Sequence, residues 1–189
     1  MIDYNTIALS EVIDDEEIVQ FIIDSFSCPL NPEVETFLRD KSIEFERLGL
    51  SRTYFIFGQY KGEKKLLGYY AIAVKHLSMV NGVSNRIRKI ISGYSGRKDC
   101  AVYLVGQLAK NYKDRIDQAH LITGRQLLQL AIDKIMVVHR IIGGRAVVVE
   151  CEDIGYLKRF YEEQGFQWVD KDKTDHLLRY YIGIDSILT

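Results

Sequence analysis

A near-continuous apolar run, Ala101 to Ala109, leads into a polar loop, Lys110 to Thr123, and then into a helix-spaced series that begins at Gly124. The first turn of a helix leaves backbone N–H donors unpaired, so a loop opening onto it can seat a phosphate or pyrophosphate. A second polar group, Glu150, Glu152 and Asp153, stands at the end of the next apolar run; carboxylates there can take up a proton or cap the helix that follows. His76, His120, His139 and His176 are isolated and lack metal-ligand spacing. Cys28, Cys100 and Cys151 are odd in number and far apart, which implies neither a disulfide framework nor a C-x-x-C site. No G-x-S-x-G, P-loop or Rossmann glycine pattern occurs.

The elements that must position these groups belong to one domain of 189 residues, 47% hydrophobic and 27% charged, a composition that excludes a disordered chain. With 25 Lys+Arg against 26 Asp+Glu the net charge is −1, so no global field draws the chain to nucleic acid or an anionic membrane. Met1 to Glu17 carries no basic-then-apolar signal pattern, and no apolar run approaches the ~18 residues of a membrane span. A soluble protein of the reducing cytoplasm is expected.

Asn5–Leu9 reads as a strand. Acid at Asp14–Glu17 then opens a helix with Ile18, Val19, Ile22 and Phe26 inward. Asn31-Pro32-Glu33 starts another, with Val34, Phe37, Leu38, Phe45 and Leu48 inward and Gly49 as its stop. Thr53–Phe57 and Leu66–Val74, joined by Lys61–Lys65, read as an antiparallel hairpin. Residues 78–99 form a basic insertion between strands. Asn81-Gly82 opens it, a short helix runs over Val83, Ile87, Ile90 and Ile91, and Arg86, Arg88, Lys89, Arg97 and Lys98 make either a solvated face or a docking surface for an acidic group. The series Leu127, Leu128, Ala131, Ile135, Val138, Ile142 is one buried helix face that Gly143-Gly144 ends. Strand Arg145–Cys151 makes the unit parallel and right-handed. A last helix over Tyr156 or Leu157, Phe160 and Tyr161 is capped at Gly165, and strands Phe166–Val169, with Trp168 in the core, and Leu177–Ile184 close the sheet around Asp170–Asp175.

This succession, ending on Phe160-Tyr161-Glu162-Glu163-Gln164-Gly165-Phe166, resembles the core of the GNAT superfamily of acyl-CoA N-acetyltransferases and its F-Y-E-x-x-G-F signature. The likeness is strong over the last half of the chain and rests on element order in the first. It implies an α/β (α+β) fold with a mixed twisted sheet of about six or seven strands and about four helices. The family's Q/R-x-x-G-x-G/A loop is kept only at its last glycine: Ile122 takes the middle glycine's place, Ala119 the Gln/Arg counted back from Gly124, and Arg115 the Arg counted forward from the strand.

The resemblance implies acetyl-CoA as acyl donor. The backbone of Leu108, Ala109 and Lys110 would pair with the pantetheine arm, and Arg115, Thr123, Gly124 and Arg125 would surround the pyrophosphate. Tyr161 takes the position of the tyrosine that protonates the departing CoA thiolate, two groups of similar basicity. Glu150 is the first candidate for the base that deprotonates the acceptor amine, before Glu152 and Asp153. Ile154 stands where the family often has Asn. The expected reaction is acetyl transfer to a primary amine of a small molecule or peptide. The alternatives are an inactive binding or regulatory module on the same fold, or a toxin-like acetyltransferase of aminoacyl-tRNA reached through residues 86–98. No membrane partner is expected, and a homodimer is compatible with the sequence.

Overall fold

Side-chain caps start two of the first three helices where the sequence places them. After β1 (Asn5–Ala8) and one turn of helix, α1 (Leu9–Val12), Asp15 accepts the Ile18 N–H at 3.0 Å and opens α2 (Glu16–Asp24). Asn31 accepts the Glu33 N–H at 3.0 Å with Pro32 at the first helical position of α3 (Pro32–Thr36). A π-helical stretch, Phe37–Lys41, carries α3 into α4 (Ser42–Arg47), and Gly49, at φ 71°, ends the run. The computed structural model describes residues 4–79 and 82–188; Asn81 lies outside the described residues.

The remaining elements are β2 (Arg52–Tyr60), β3 (Glu63–Ser78), α5 (Asn85–Ser92), β4 (Asp99–Lys110), a 3-10 stretch (Lys113–Ala119), α6 (Gly124–Ile142), β5 (Ala146–Cys151), α7 (Gly155–Glu163), β6 (Gln167–Lys171), β7 (Leu178–Gly183) and α8 (Ile184–Ile187). The seven strands form a mixed sheet of order β1-β2-β3-β4-β5-β7-β6. This is the α/β (α+β) arrangement expected, with more short helices than foreseen; α2, α5, α6 and α7 are the described helices of eight residues or more. The chain divides into two units, Met1–Ala73 with Gln107–Asp133, and Val74–Gly106 with Lys134–Thr189.

In the first unit β1 and β3 flank β2, both antiparallel to it. The β2–β3 turn is only Lys61-Gly62, at φ 51° and 82°. Positive φ at both turn residues matches the right-handed strand twist, so the strands run on to the turn and shorten the five-residue connection expected. The core packs Val19, Ile22, Phe26, Val34 and Leu38 on Phe55 and Tyr69. Tyr69 is fully buried, meets Phe26 edge-on at 5.0 Å and donates to the Val34 carbonyl at 2.6 Å, fixing α3 by its first turn. Ile18 and Leu48, expected inward, are exposed: Ile18 lies a helical step off the Val19–Ile22–Ile23 stripe, and Leu48 follows the last residue of α4.

In the second unit β4 and β5 are parallel, with Tyr103 to Val105 in register with Val147 to Val149, and β7 runs antiparallel between β5 and β6. Ser84 caps α5, accepting the Ile87 N–H at 3.2 Å, and Gly93 at φ 86° ends it. Its Ile91 joins Leu77, Met79, Val148 and Tyr181 in a second core. Three sequence expectations are corrected here. Trp168 is 54% exposed because β6 is the sheet's edge strand; Ile142, in the last turn of α6, is also exposed; and Ile184 begins α8 instead of extending β7. Asp170 belongs to β6, buried, where both carboxylate oxygens take the Arg179 guanidinium at 2.5 and 2.6 Å.

Candidate functional site

The loop expected to hold a pyrophosphate is built in the first unit. Leu108, Ala109 and Lys110 are the last residues of β4; Ala109 is buried and the Lys110 ammonium lies 5.6 Å from the centre of the Tyr112 ring. Gly68 of β3 brings its backbone against this strand end: a Cβ there would stand 2.6 Å from the Ala109 carbonyl oxygen. The residues inserted into the glycine motif form the 3-10 stretch. Asp114 and Arg115 both adopt left-handed backbone, at φ 52° and 58°, a strained state for residues with a Cβ. Ile116 and Ile122 are buried and anchor the loop from within, Ile122 at the position expected for the motif's middle glycine. Lys110, Asn111, Ile116 and Ile122 line a small recess of about 10 Å³, room for one water molecule.

At the start of α6, Thr123 and Gln126 cap each other: the Gln126 N–H donates to the Thr123 hydroxyl at 3.1 Å, and the side-chain Oε1 of Gln126 accepts the Thr123 N–H at 2.9 Å. The Thr123 side chain is thus spent on the helix, and what the turn offers a ligand is backbone N–H and the exposed guanidiniums of Arg115 and Arg125. The Thr-x-x-Gln spacing is itself a capping signal, one that the sequence reading above leaves unused.

The acid and base candidates stand in the second unit. Tyr161, on α7, is buried between Phe160 and Phe166, which meet it edge-on at 5.0 and 5.8 Å, and Tyr180, stacked at 6.4 Å. Burial, helped by Cys151 and Tyr156, pushes its phenol well above the ordinary value, which keeps the proton on oxygen at neutral pH. Burial likewise lifts the Cys151 thiol to about 11, so it stays a thiol.

Glu150 is not free. The Lys75 ammonium reaches both of its oxygens, at 2.5 and 2.7 Å, and its side chain is 11% exposed. Sequence reasoning does not single out Lys75, because a lysine in a strand carries no signal of its partner. Across the sheet Glu150 faces Arg179, whose guanidinium holds Asp170, Asp172 and the Ser78 carbonyl. Side chains alternate along a strand, so Glu150 shares the face of Val148, whereas Tyr161 stacks on Tyr180, the partner of Val149 on the other face. The two candidates reach the β5–β7 pair from opposite faces.

Asp153 does not cap α7; Ile154 holds that position without a side-chain bond. The Asp153 carboxylate pairs with Lys158 at 2.8 Å and Lys171 at 3.5 Å, and Lys158 chiefly holds it below the usual carboxylate range. In the insertion, Arg86, Lys89, Arg97 and Lys98 are exposed, but Arg88 is buried and donates to the Val83 and Arg97 carbonyls at 3.0 and 3.3 Å. The expected basic surface therefore loses one member, because this loop needs a donor to satisfy its own carbonyls.

No protein-family model matches the chain, and no curated protein sequence does. Solved structures share its fold. A tyrosine-to-phenylalanine mutant of KacT aligns over 98% of this chain and 97% of its own, with TM-score 0.69 and 17% identity. AtaT complexed with acetyl-methionyl-tRNAfMet aligns over 98% of both chains, with TM-score 0.68 and 18% identity. AtaTR bound with AcCoA aligns over 98% of this chain and 96% of its own, with TM-score 0.67 and 17% identity. Among the described residues no helix is long and apolar enough to cross a membrane.

Proposed function

We propose that this chain, whose fold is that of the GNAT acyltransferases, is an acetyl-CoA-dependent N-acetyltransferase whose acceptor is the α-amino group of an aminoacyl-tRNA. The observation that carries this reading is the alignment, over 98% of the chain, with AtaT in complex with acetyl-methionyl-tRNAfMet. Arg86, Lys89, Arg97 and Lys98, exposed on the insertion, supply the local positive surface that a chain of net charge −1 needs to meet a polyanion. The two units work as one catalytic domain in the cytoplasm.

In the proposed reaction the amine nitrogen attacks the thioester carbonyl, the N–C bond forms, and the C–S bond breaks. Tyr161 gives its proton to the departing thiolate. The proton that the amine loses goes to solvent: Glu150, expected as the base, has both oxygens on Lys75 and reaches the β5–β7 pair from the face opposite Tyr161. The backbone of Leu108, Ala109 and Lys110 binds the pantetheine arm. Gly124 and Arg125 at the start of α6, with the Arg115 guanidinium, bind the pyrophosphate; Thr123 serves them as the helix cap.

The test is calorimetric titration with acetyl-CoA beside an Arg115→Ala/Arg125→Ala variant, followed by acetylation of a charged tRNA pool. Micromolar binding weakened in the variant, with transfer to charged tRNA that falls with salt and with Arg86→Ala/Lys89→Ala, supports the reading. Transfer to free amines or peptides alone moves the acceptor to a small molecule or peptide. The isoleucine-filled loop favours a second reading, a binding module without catalysis, and no acetyl-CoA binding at millimolar concentration would establish it.

A further inference from the structure

Asn111, the first residue after β4, is buried and uses its whole amide. Its Oδ1 accepts the Ser27 N–H at 3.0 Å and the Lys113 N–H at 2.9 Å; its Nδ2 donates to the Ser25 carbonyl at 2.7 Å and the Leu66 carbonyl at 2.9 Å. Its backbone N–H continues the sheet to the Leu67 carbonyl at 2.8 Å, and the next N–H, of Tyr112, reaches the Ser27 carbonyl at 2.7 Å. The Lys113 ammonium adds a bond to the Asp24 carbonyl at 2.9 Å. On the far side of Ser27 the Glu35 carboxylate accepts the Ser27 hydroxyl at 2.8 Å and the Cys28 N–H. One buried amide therefore fastens the start of the candidate acetyl-CoA loop to the connection between α2 and α3, and Glu35 fastens that connection to α3.

We infer that Asn111 is a positioning residue that couples the acetyl-CoA loop to the α2–α3 connection, with Glu35 as the second clasp. The inference rests on the reading of residues 110–125 as the cofactor loop. A buried amide with every donor and acceptor satisfied cannot shift without leaving polar groups unpaired, so the two segments move as one body. Ordering of the loop by a ligand is then transmitted to residues 25–35, and by reciprocity ordering of residues 25–35 strengthens ligand binding. A filler amide would satisfy one segment; this one joins three, the ends of α2, β3 and β4.

The experiment is hydrogen exchange of the full chain with and without acetyl-CoA, paired with calorimetric titration. Wild type, Asn111→Asp, which keeps both accepted bonds and loses both donated ones, Asn111→Ala and Glu35→Ala are compared, with circular dichroism as the folding check. The expected result is acetyl-CoA-dependent protection of residues 25–35 in wild type, reduced in Asn111→Asp and absent in Asn111→Ala, with affinity about tenfold weaker in the alanine variant. Should Asn111→Ala not fold, Glu35→Ala, altered at a more exposed site, carries the test through loss of the same ligand-dependent protection. Binding by wild type with no protection of residues 25–35, or full affinity and full protection in the folded variants, overturns the inference and leaves the cofactor reading standing. Failure of wild type to bind acetyl-CoA overturns both.

Discussion

Replacing Tyr161 by Phe removes one oxygen from a side chain held by three aromatic rings at 5.0, 5.8 and 6.4 Å. The ring contacts remain, so the change in stability is expected to stay within about 1 kcal/mol. The chemistry should respond on a different scale. General-acid catalysis contributes about 10²–10⁴-fold, or about 3–5 kcal/mol of transition-state stabilisation, and the variant should lose that much in kcat with acetyl-CoA affinity unchanged. Burial also fixes the sign of the pH dependence. Because the phenol is raised above its ordinary value of 10.0, Tyr161 keeps its proton through pH 7–9, and the loss of rate it governs lies beyond that range. The assay is single-turnover transfer from radiolabelled acetyl-CoA to charged tRNA, with thiol release followed in parallel from pH 6 to 10. A Tyr161→Phe variant at the wild-type rate would refute the assignment. So would a wild-type rate that falls between pH 7 and 9 and no longer does so after the substitution.

Three further outcomes follow from particular contacts. Arg179→Met leaves the Asp170 carboxylate, 8% exposed, without its bidentate partner, and should cost about 3–5 kcal/mol in urea unfolding; a loss under 1 kcal/mol would contradict the pairing. Gly68→Ala puts a methyl 2.6 Å from the Ala109 carbonyl and 3.2 Å from the Lys110 Cα, so β4 must give way: about 1–3 kcal/mol of stability should be lost, with weaker acetyl-CoA binding in calorimetry. Glu35 is held below its ordinary value of 4.5, first by the Cys28 N–H and then by the Ser27 hydroxyl. Its contribution is therefore present above about pH 4.5 and lost as pH falls through the lowered folded value; melting temperatures from pH 3 to 6 should drop on the acid side, less so in Glu35→Gln.

Local chemistry makes much of this protein legible in the order of its amino acids. Asp15, Asn31-Pro32 and Gly49 bound helices because caps and stops act within a few residues. The Ala101–Ala109 run, the stripe from Leu127 to Ile135 and Phe-Tyr-Glu-Glu-Gln-Gly-Phe mark β4, the crossover helix and the last long helix, since burial periodicity and a left-handed cap are properties of the chain itself.

Only tertiary structure could decide the partners. Lys75 meets Glu150 across 75 residues, Arg179 meets Ser78 across 101, and Asn111 joins Ser25, Ser27 and Leu66, none at a spacing that a sequence pattern encodes. The exposure of Trp168 depends on which strand ends the sheet, and the burial of Arg88 on carbonyls that its own loop turns inward. Period and capping are local and survive in the order of residues; ion pairs, edge positions and the satisfaction of buried polar groups exist only once distant segments share a surface.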